Sequence, residues 1–190
     1  TLRINYRGRT TQPSMTDLYS KNDISDPLNI RLTNPNLKPS FNNNISATFN
    51  TYFTETLRSF NANFSYSNTI NSTTRIVTYD ENTGGRTTQP TNVNGNWRIN
   101  GSFTFSTPLS NKKFTVNTYT NANYGNSVGF TVLNKESDAV KSNTTNLFLS
   151  ERLKGNYRSD LIDCELSAGI RYQKSEHSIK KDNQRETFDY

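Results

Sequence analysis

The chain has 190 residues, of which 31% are hydrophobic and 12% aromatic, with a formal charge of +6 and a single cysteine, Cys164. The hydrophobic share is far below the ~45–50% of an ordinary soluble domain. One cysteine excludes an internal disulfide framework, no run approaches the ~20 apolar residues of a membrane-crossing helix, and scattered basic residues such as Arg58, Arg75, Arg98, Arg152 and Arg171 lack the clustering of a nucleic-acid-binding face.

Low hydrophobicity by itself would suggest disorder, but the aromatic residues are too regularly placed for a solvated coil. Asn, Thr and Ser make up about two-fifths of the chain. Thr favours strands and Asn favours turns, so the composition points to all-β structure with polar-faced strands and many loops.

Residues 1–7 alternate Leu2, Ile4 and Tyr6 against Arg3, Asn5 and Arg7, and Gly8 is expected to stop this strand. Thr1 already stands inside the pattern, which suggests a segment of a longer precursor. A long loop is expected from Arg9 to Ser40, punctuated by Pro13, Pro27, Pro35 and Pro39.

Next comes the clearest strand, 41–53. Phe41, Ile45, Ala47, Phe49 and Phe53 share one parity, while Asn42, Asn44, Ser46, Thr48 and Asn50 share the other, so a period of two places them on opposite faces. Its length is roughly twice the common 5–6 residues. A turn at 54–57 leads into 58–67, with Phe60, Ala62, Phe64 and Tyr66 in phase. The stretch 68–95 reads as a second long polar connection with a weak strand near 73–79 and a turn at 82–85.

Strand 96–106 carries Trp97, Ile99, Gly101, Phe103 and Phe105 on one face. After a turn at 107–111 the chain returns with Phe114, Val116, Thr118, Thr120, Ala122 and Tyr124. Residues 125–143 read as a third long loop. A strand at 144–153 carries Leu147, Leu149 and Leu153. A turn at 154–160 precedes Ile162, Cys164, Leu166, Ala168, Ile170 and Tyr172. After Gln173 no pattern remains.

Short turns therefore alternate with long connections, and each strand has one greasy face and one amide-and-hydroxyl face. This predicts an antiparallel meander of seven or eight long amphipathic strands spanning residues 1–190, part of a transmembrane β-barrel. The alternative is a soluble β-sandwich with one buried face per strand. In the barrel reading Phe41, Ile45, Ala47, Phe49, Phe53, Phe60, Phe64, Tyr66, Trp97, Phe103 and Phe105 face lipid, and the long loops carrying Arg9, Arg31, Tyr79 and Arg86 meet a ligand.

No catalytic, metal or cofactor constellation emerges. His177 is the only histidine, and a zinc site or a triad needs more parts. Asp80 with Glu81, and Asp163 with Glu165, are the nearest carboxylate pairs; the second shares the polar parity of one strand, so a dyad is conceivable beside a plain solvated face. Asn-X-Ser/Thr triplets at Asn44, Asn63, Asn71 and Asn143 are expected by chance at this composition. Gly8, Arg9, Thr10, Thr11, Gln12 and Pro13 recur letter for letter as Gly85 to Pro90, both copies in expected loops, which reads as similar loop composition with a shared ligand contact as the alternative.

Three blocks resemble known proteins: Pro13 followed by Asp17, Leu18 and Tyr19; Asp26, Pro27 and Leu28; and Asn34, Pro35, Asn36, Leu37, Lys38 and Pro39. They resemble the barrel region of TonB-dependent outer-membrane receptors and, more closely, outer-membrane β-barrel family proteins of Bacteroidetes, although Ser40 stands where such receptors usually have Glu. The resemblance implies a Gram-negative outer membrane, a barrel of about 22 strands closed by a plug domain, and nutrient uptake energised through TonB. The partners implied are outer-membrane lipid, the rest of the barrel and plug, TonB and an unidentified extracellular ligand. This segment would contain no plug and no cofactor. A surface adhesin that only displays its loops is the second functional reading, and catalysis is not expected.

Overall fold

The computed structural model describes residues 1–19, 22–80, 82–109, 113–132, 139–179 and 186–189. Eleven strands and one helical turn succeed one another in chain order: β1 (Leu2–Thr11), α1 (Met15–Tyr19), β2 (Asn29–Arg31), β3 (Ser40–Phe53), β4 (Arg58–Ile70), β5 (Ser72–Tyr79), β6 (Arg86–Val93), β7 (Asn96–Pro108), β8 (Phe114–Thr131), β9 (Val140–Arg158), β10 (Asp163–His177) and β11 (Glu186–Asp189). Eight of them form one sheet in the order β1-β3-β4-β7-β8-β9-β10-β11, and a small sheet has the order β2-β6-β5. Every pair in the large sheet is antiparallel. In the small sheet β2 runs parallel to β6.

Registers decide which residues share a face, because directly paired residues point the same way. Ile45 pairs with Tyr66, Tyr66 with Ile99, Ile99 with Tyr124, and Tyr124 with Leu147. The same bookkeeping places all eleven aromatic and aliphatic residues singled out above in β3, β4 and β7 on one face. Ring contacts agree: Phe60 lies edge-on to Phe49 (centroids 5.5 Å apart) and to Phe103 (4.8 Å), and Trp97 to Tyr124 (5.2 Å). The apolar face extends over β1, through Leu2, Ile4 and Tyr6, and over β10, through Leu166, Ala168 and Ile170. Glu151 interrupts it on β9 and accepts a hydrogen bond from the Thr120 hydroxyl.

Almost nothing covers this face. Among the described residues the buried hydrophobics are Leu37, Val93 and Val128, near the junction of the small sheet with the large one, whereas Leu166 is 81% exposed. Accessible surface totals 13670 Å², against about 9,200 Å² for a folded globular protein of this mass. A sandwich would bury its apolar rows between two sheets; here they stand open, as in a wall.

Several boundaries differ from the sequence reading, each for a local reason. Gly8 does not stop β1: it pairs with Asn43, and a Cβ there would stand 2.8 Å from the Phe41 ring, so glycine marks a close approach. The expected loop 9–40 holds the end of β1, α1 and β2, and the expected loop 68–95 holds the β5–β6 hairpin. Within the expected loop 125–143, β8 runs on to Thr131 and β9 begins at Val140, paired throughout, and residues 133–138 lie outside the described ones. β9 likewise continues through Gly155 to Arg158, so the turn is 159–162, and β10 continues beyond Gln173 to His177. Both copies of the repeated hexapeptide lie largely in strands, β1 and β6. The turn expected at 107–111 falls partly on residues outside the described ones.

The short connections 54–57 and 159–162 lie at one end of the large sheet. At the other end, β1 reaches β3 and β4 reaches β7 through the longest connections, and these carry the small sheet. Asn71 accommodates the step from β4 to β5 at φ 51°, a left-handed conformation that Asn tolerates better than most residues.

Candidate functional site

The long-connection end is built by the residues that carry the family resemblance. Ser14 caps α1: its hydroxyl accepts from the Asp17 N–H (3.1 Å) and donates to the Asp17 carboxylate (2.8 Å), the N-cap bond of a serine to the third helical N–H. The Asp17 carbonyl in turn accepts from the Asn34 N–H at 2.7 Å, which joins the first motif block to the third. Asn34 also turns the chain, because its side-chain oxygen accepts from the Asn36 N–H (3.0 Å). The Asn34 amide donates to the Pro90 carbonyl at 3.0 Å. Pro35 and Pro39 lack N–H donors and fix their own φ, leaving Leu37 to turn inward, where it is 7% exposed.

Asn92 of β6 secures the block. Its side-chain oxygen accepts from the Lys38 N–H (2.7 Å), and its amide donates to the Lys38 carbonyl (3.1 Å) and the Asn71 carbonyl (2.8 Å). One side chain thus ties the proline-rich lead of β3 to the β4–β5 corner. Composition alone could not reveal this hub, since Asn92 is one asparagine among many.

Between α1, β2 and the small sheet opens a polar groove of about 490 Å³, lined by Thr16, Asp17, Asp23, Arg31, Arg75, Arg86 and Thr88 among others. Asp17 and Arg75 approach to 4.0 Å. Arg86 donates through Nε to the Asn29 side chain at 2.7 Å. The Ser25 hydroxyl and N–H hold the Asp23 carboxyl below the ordinary value, aided by Arg31, and the Asn29 amide and Leu28 N–H do the same for Asp26. These carboxylates stay ionised at neutral pH beside three guanidiniums, a mixed-charge surface suited to binding a polar solute.

Of the four residues expected in ligand-binding loops, Arg31, Tyr79 and Arg86 belong to the small sheet, with Arg31 and Arg86 in the groove. Arg9 does not: it pairs with Asn42 in the large sheet. Asp17, Asp23 and Arg75 are groove residues that sequence reasoning did not assign to ligand contact, because only the folded connections bring them together.

The other constellations resolve into structural contacts. Asp163 and Glu165 are each held by a different cation, Arg158 at 3.0 Å and Lys154 at 2.8 Å. The His177 ring shares a hydrogen bond with the Thr144 hydroxyl at 2.9 Å. Glu81 lies outside the described residues. Among those described, no cluster of three or more His, Cys, Asp or Glu could hold a metal.

Asp80 organises the β5–β6 turn. Its carboxylate accepts from the Asn82 N–H (2.8 Å) and Thr83 N–H (3.1 Å), and those backbone donors, Thr83 first, hold its pKa below the ordinary value. A lowered pKa contributes stability that is complete above about pH 4 and disappears as the pH falls through it. We expect the amides of Asn82 and Thr83 to lose protection from hydrogen exchange below that point, after correction for intrinsic rates. Asp80→Asn should abolish the step.

Comparison with the curated proteins gave no match, and neither did comparison with the solved structures. The outer membrane protein beta-barrel family does match, over residues 1–185. This span includes the three motif blocks and the paired strands from β1 to β10. The open wall with one uncovered apolar face, which no soluble sandwich explains, has its counterpart in a barrel that sits in the outer membrane against lipid: the chain belongs to the outer membrane protein beta-barrel family.

Proposed function

We propose that residues 1–190 form part of the wall of an outer-membrane receptor that takes up a nutrient, energised through TonB in the parent protein. The apolar rows, from Phe41 to Phe105, meet lipid. The polar rows line the lumen, which a plug from elsewhere in the parent closes. The mixed-charge groove at the long-connection end makes the first contact with the ligand, on the extracellular side. No step of catalysis enters this reading.

The observation that carries it is the 2.7 Å bond between Asp17 and Asn34. It joins two motif blocks resembling TonB-dependent receptors into one anchor beneath a ligand-sized groove. A structural wall alone needs no such platform. The adhesin reading draws on the same platform and differs only in the fate of the ligand once bound.

The test uses the complete parent protein in its own outer membrane. A panel of labelled nutrients should include one that accumulates in cells with TonB and fails to accumulate when TonB or the plug is removed. Attachment to a host or matrix protein, with no TonB-dependent accumulation of any nutrient, would favour the adhesin.

A further inference from the structure

The polar face of β9 and β10 changes character along its length. Near the 159–162 turn every cation has a carboxylate: Arg158 faces Asp163 at 3.0 Å and Lys154 faces Glu165 at 2.8 Å. Farther along, the register sets Arg152 opposite Gly169 and Arg171 opposite Ser150. Neither guanidinium forms an ion pair among the described residues. The two occupy diagonal positions on adjacent strands, where like charges repel.

The surroundings form a cradle. Tyr119 of β8 stands opposite Arg152, and the Arg171 guanidinium lies 5.9 Å from the centre of the Phe148 ring. Between them is a cavity of about 860 Å³ whose floor includes Ser150, Ser167 and Gly169. At Gly169 an added Cβ would stand 3.2 Å from the Glu151 carbonyl, so glycine keeps the floor low. Two guanidiniums, two aromatic rings and a floor of small residues therefore converge on one empty volume.

We infer that this cradle binds a solute bearing carboxylate groups on a ring. Guanidinium forks pair bidentately with carboxylates, and inside a barrel two neighbouring positive charges are stabilised by a counter-charge more strongly than in open water. The Phe148 ring supplies a flat apolar surface for the ring of the solute. The inference rests on the polar face being the aqueous side of the barrel wall, and it holds whether the parent imports its ligand or only retains it.

The test titrates the complete parent protein in detergent micelles with phthalate and, separately, with galacturonate, using benzyl alcohol as the uncharged control. One of the two carboxylates should bind saturably and benzyl alcohol should not; which one binds separates an aromatic from a sugar-ring ligand. The double variant Arg152→Gln/Arg171→Gln should weaken binding at least tenfold, Arg152→Lys/Arg171→Lys less, and Arg158→Gln not at all. The lysine variants keep the test valid if the glutamine variant fails to fold. No saturable binding of either carboxylate by the unaltered protein would overturn the inference, because the two charges would then be neutralised from within the parent. Equal loss in Arg158→Gln would overturn it too, reducing the effect to overall charge.

Discussion

Replacing Phe103 by arginine is expected to cost the barrel about 2–4 kcal/mol, whereas arginine at the adjacent Ser102 should change stability by under about 0.5 kcal/mol. The two positions differ by one step along β7 and therefore by the whole thickness of the wall. Phe103 packs edge-on against Phe60 within the apolar rows; Ser102 pairs with Asn63 and Asn121 on the polar face. Denaturant unfolding of the barrel in lipid vesicles would measure the difference, with Phe103→Leu separating lost packing from buried charge. If arginine is tolerated as well as leucine at 103, that face does not meet lipid. Trp97, the one tryptophan of these 190 residues, gives an independent reading from the same face: with any tryptophan outside them replaced by phenylalanine, lipids brominated along their acyl chains should quench its fluorescence, and a dry interface between two sheets would shield it.

Asn92→Ala should loosen the platform by about 2–3 kcal/mol of local opening free energy, near 1 kcal/mol for each of its three hydrogen bonds. The large sheet should be untouched, since Asn92 pairs only with Thr73 of the small sheet. Hydrogen exchange at Lys38 and protease cleavage within 34–39 would report the change. Asn92→Asp keeps the acceptor for the Lys38 N–H but turns a carboxylate oxygen toward the Lys38 and Asn71 carbonyls that the amide now serves, so it should open the block at least as far as alanine does. Unaltered protection at Lys38 in the alanine variant would mean that Leu37 and the prolines hold the block alone.

How much of this was legible in the sequence depended on what each strand touches. β3, β4 and β7 announce themselves because bulky Phe, Ile and Trp residues alternate with amides, and a strand with one greasy face must alternate. The same logic fails at the far ends of β8 and β9. There Gly125, Asn126, Ser127 and Lys141, Ser142, Asn143 are polar on both faces, so periodicity vanishes while backbone pairing continues. β6, with Arg86, Thr87, Thr88 and Gln89, was hidden for the same reason and because Pro90 weighs against a strand. For the groove, the place of Arg31 and Arg86 in long polar connections marks them in the sequence, but Asp17 and Arg75 reach it only through the fold. Arg152 and Arg171 carry no mark in the sequence beyond their charge. Only the register, which sets Gly169 and Ser150 against them, distinguishes them from the paired Arg158 and Lys154.

The pairing from β1 through β10 runs without a bulge in any strand of the large sheet. Such a sheet counts residues like a ruler. One residue inserted amid β8, between Thr118 and Ala122, would send every later side chain of that strand to the opposite face, placing Asn121 and Asn123 among the apolar rows and Tyr124 among the polar ones. Two inserted residues would restore the faces but slide Tyr124 away from Trp97. Changes of length should therefore be absorbed almost wholly by the connections, where the small sheet and its groove lie, so that the groove end can be remodelled while the span across the membrane stays fixed in length.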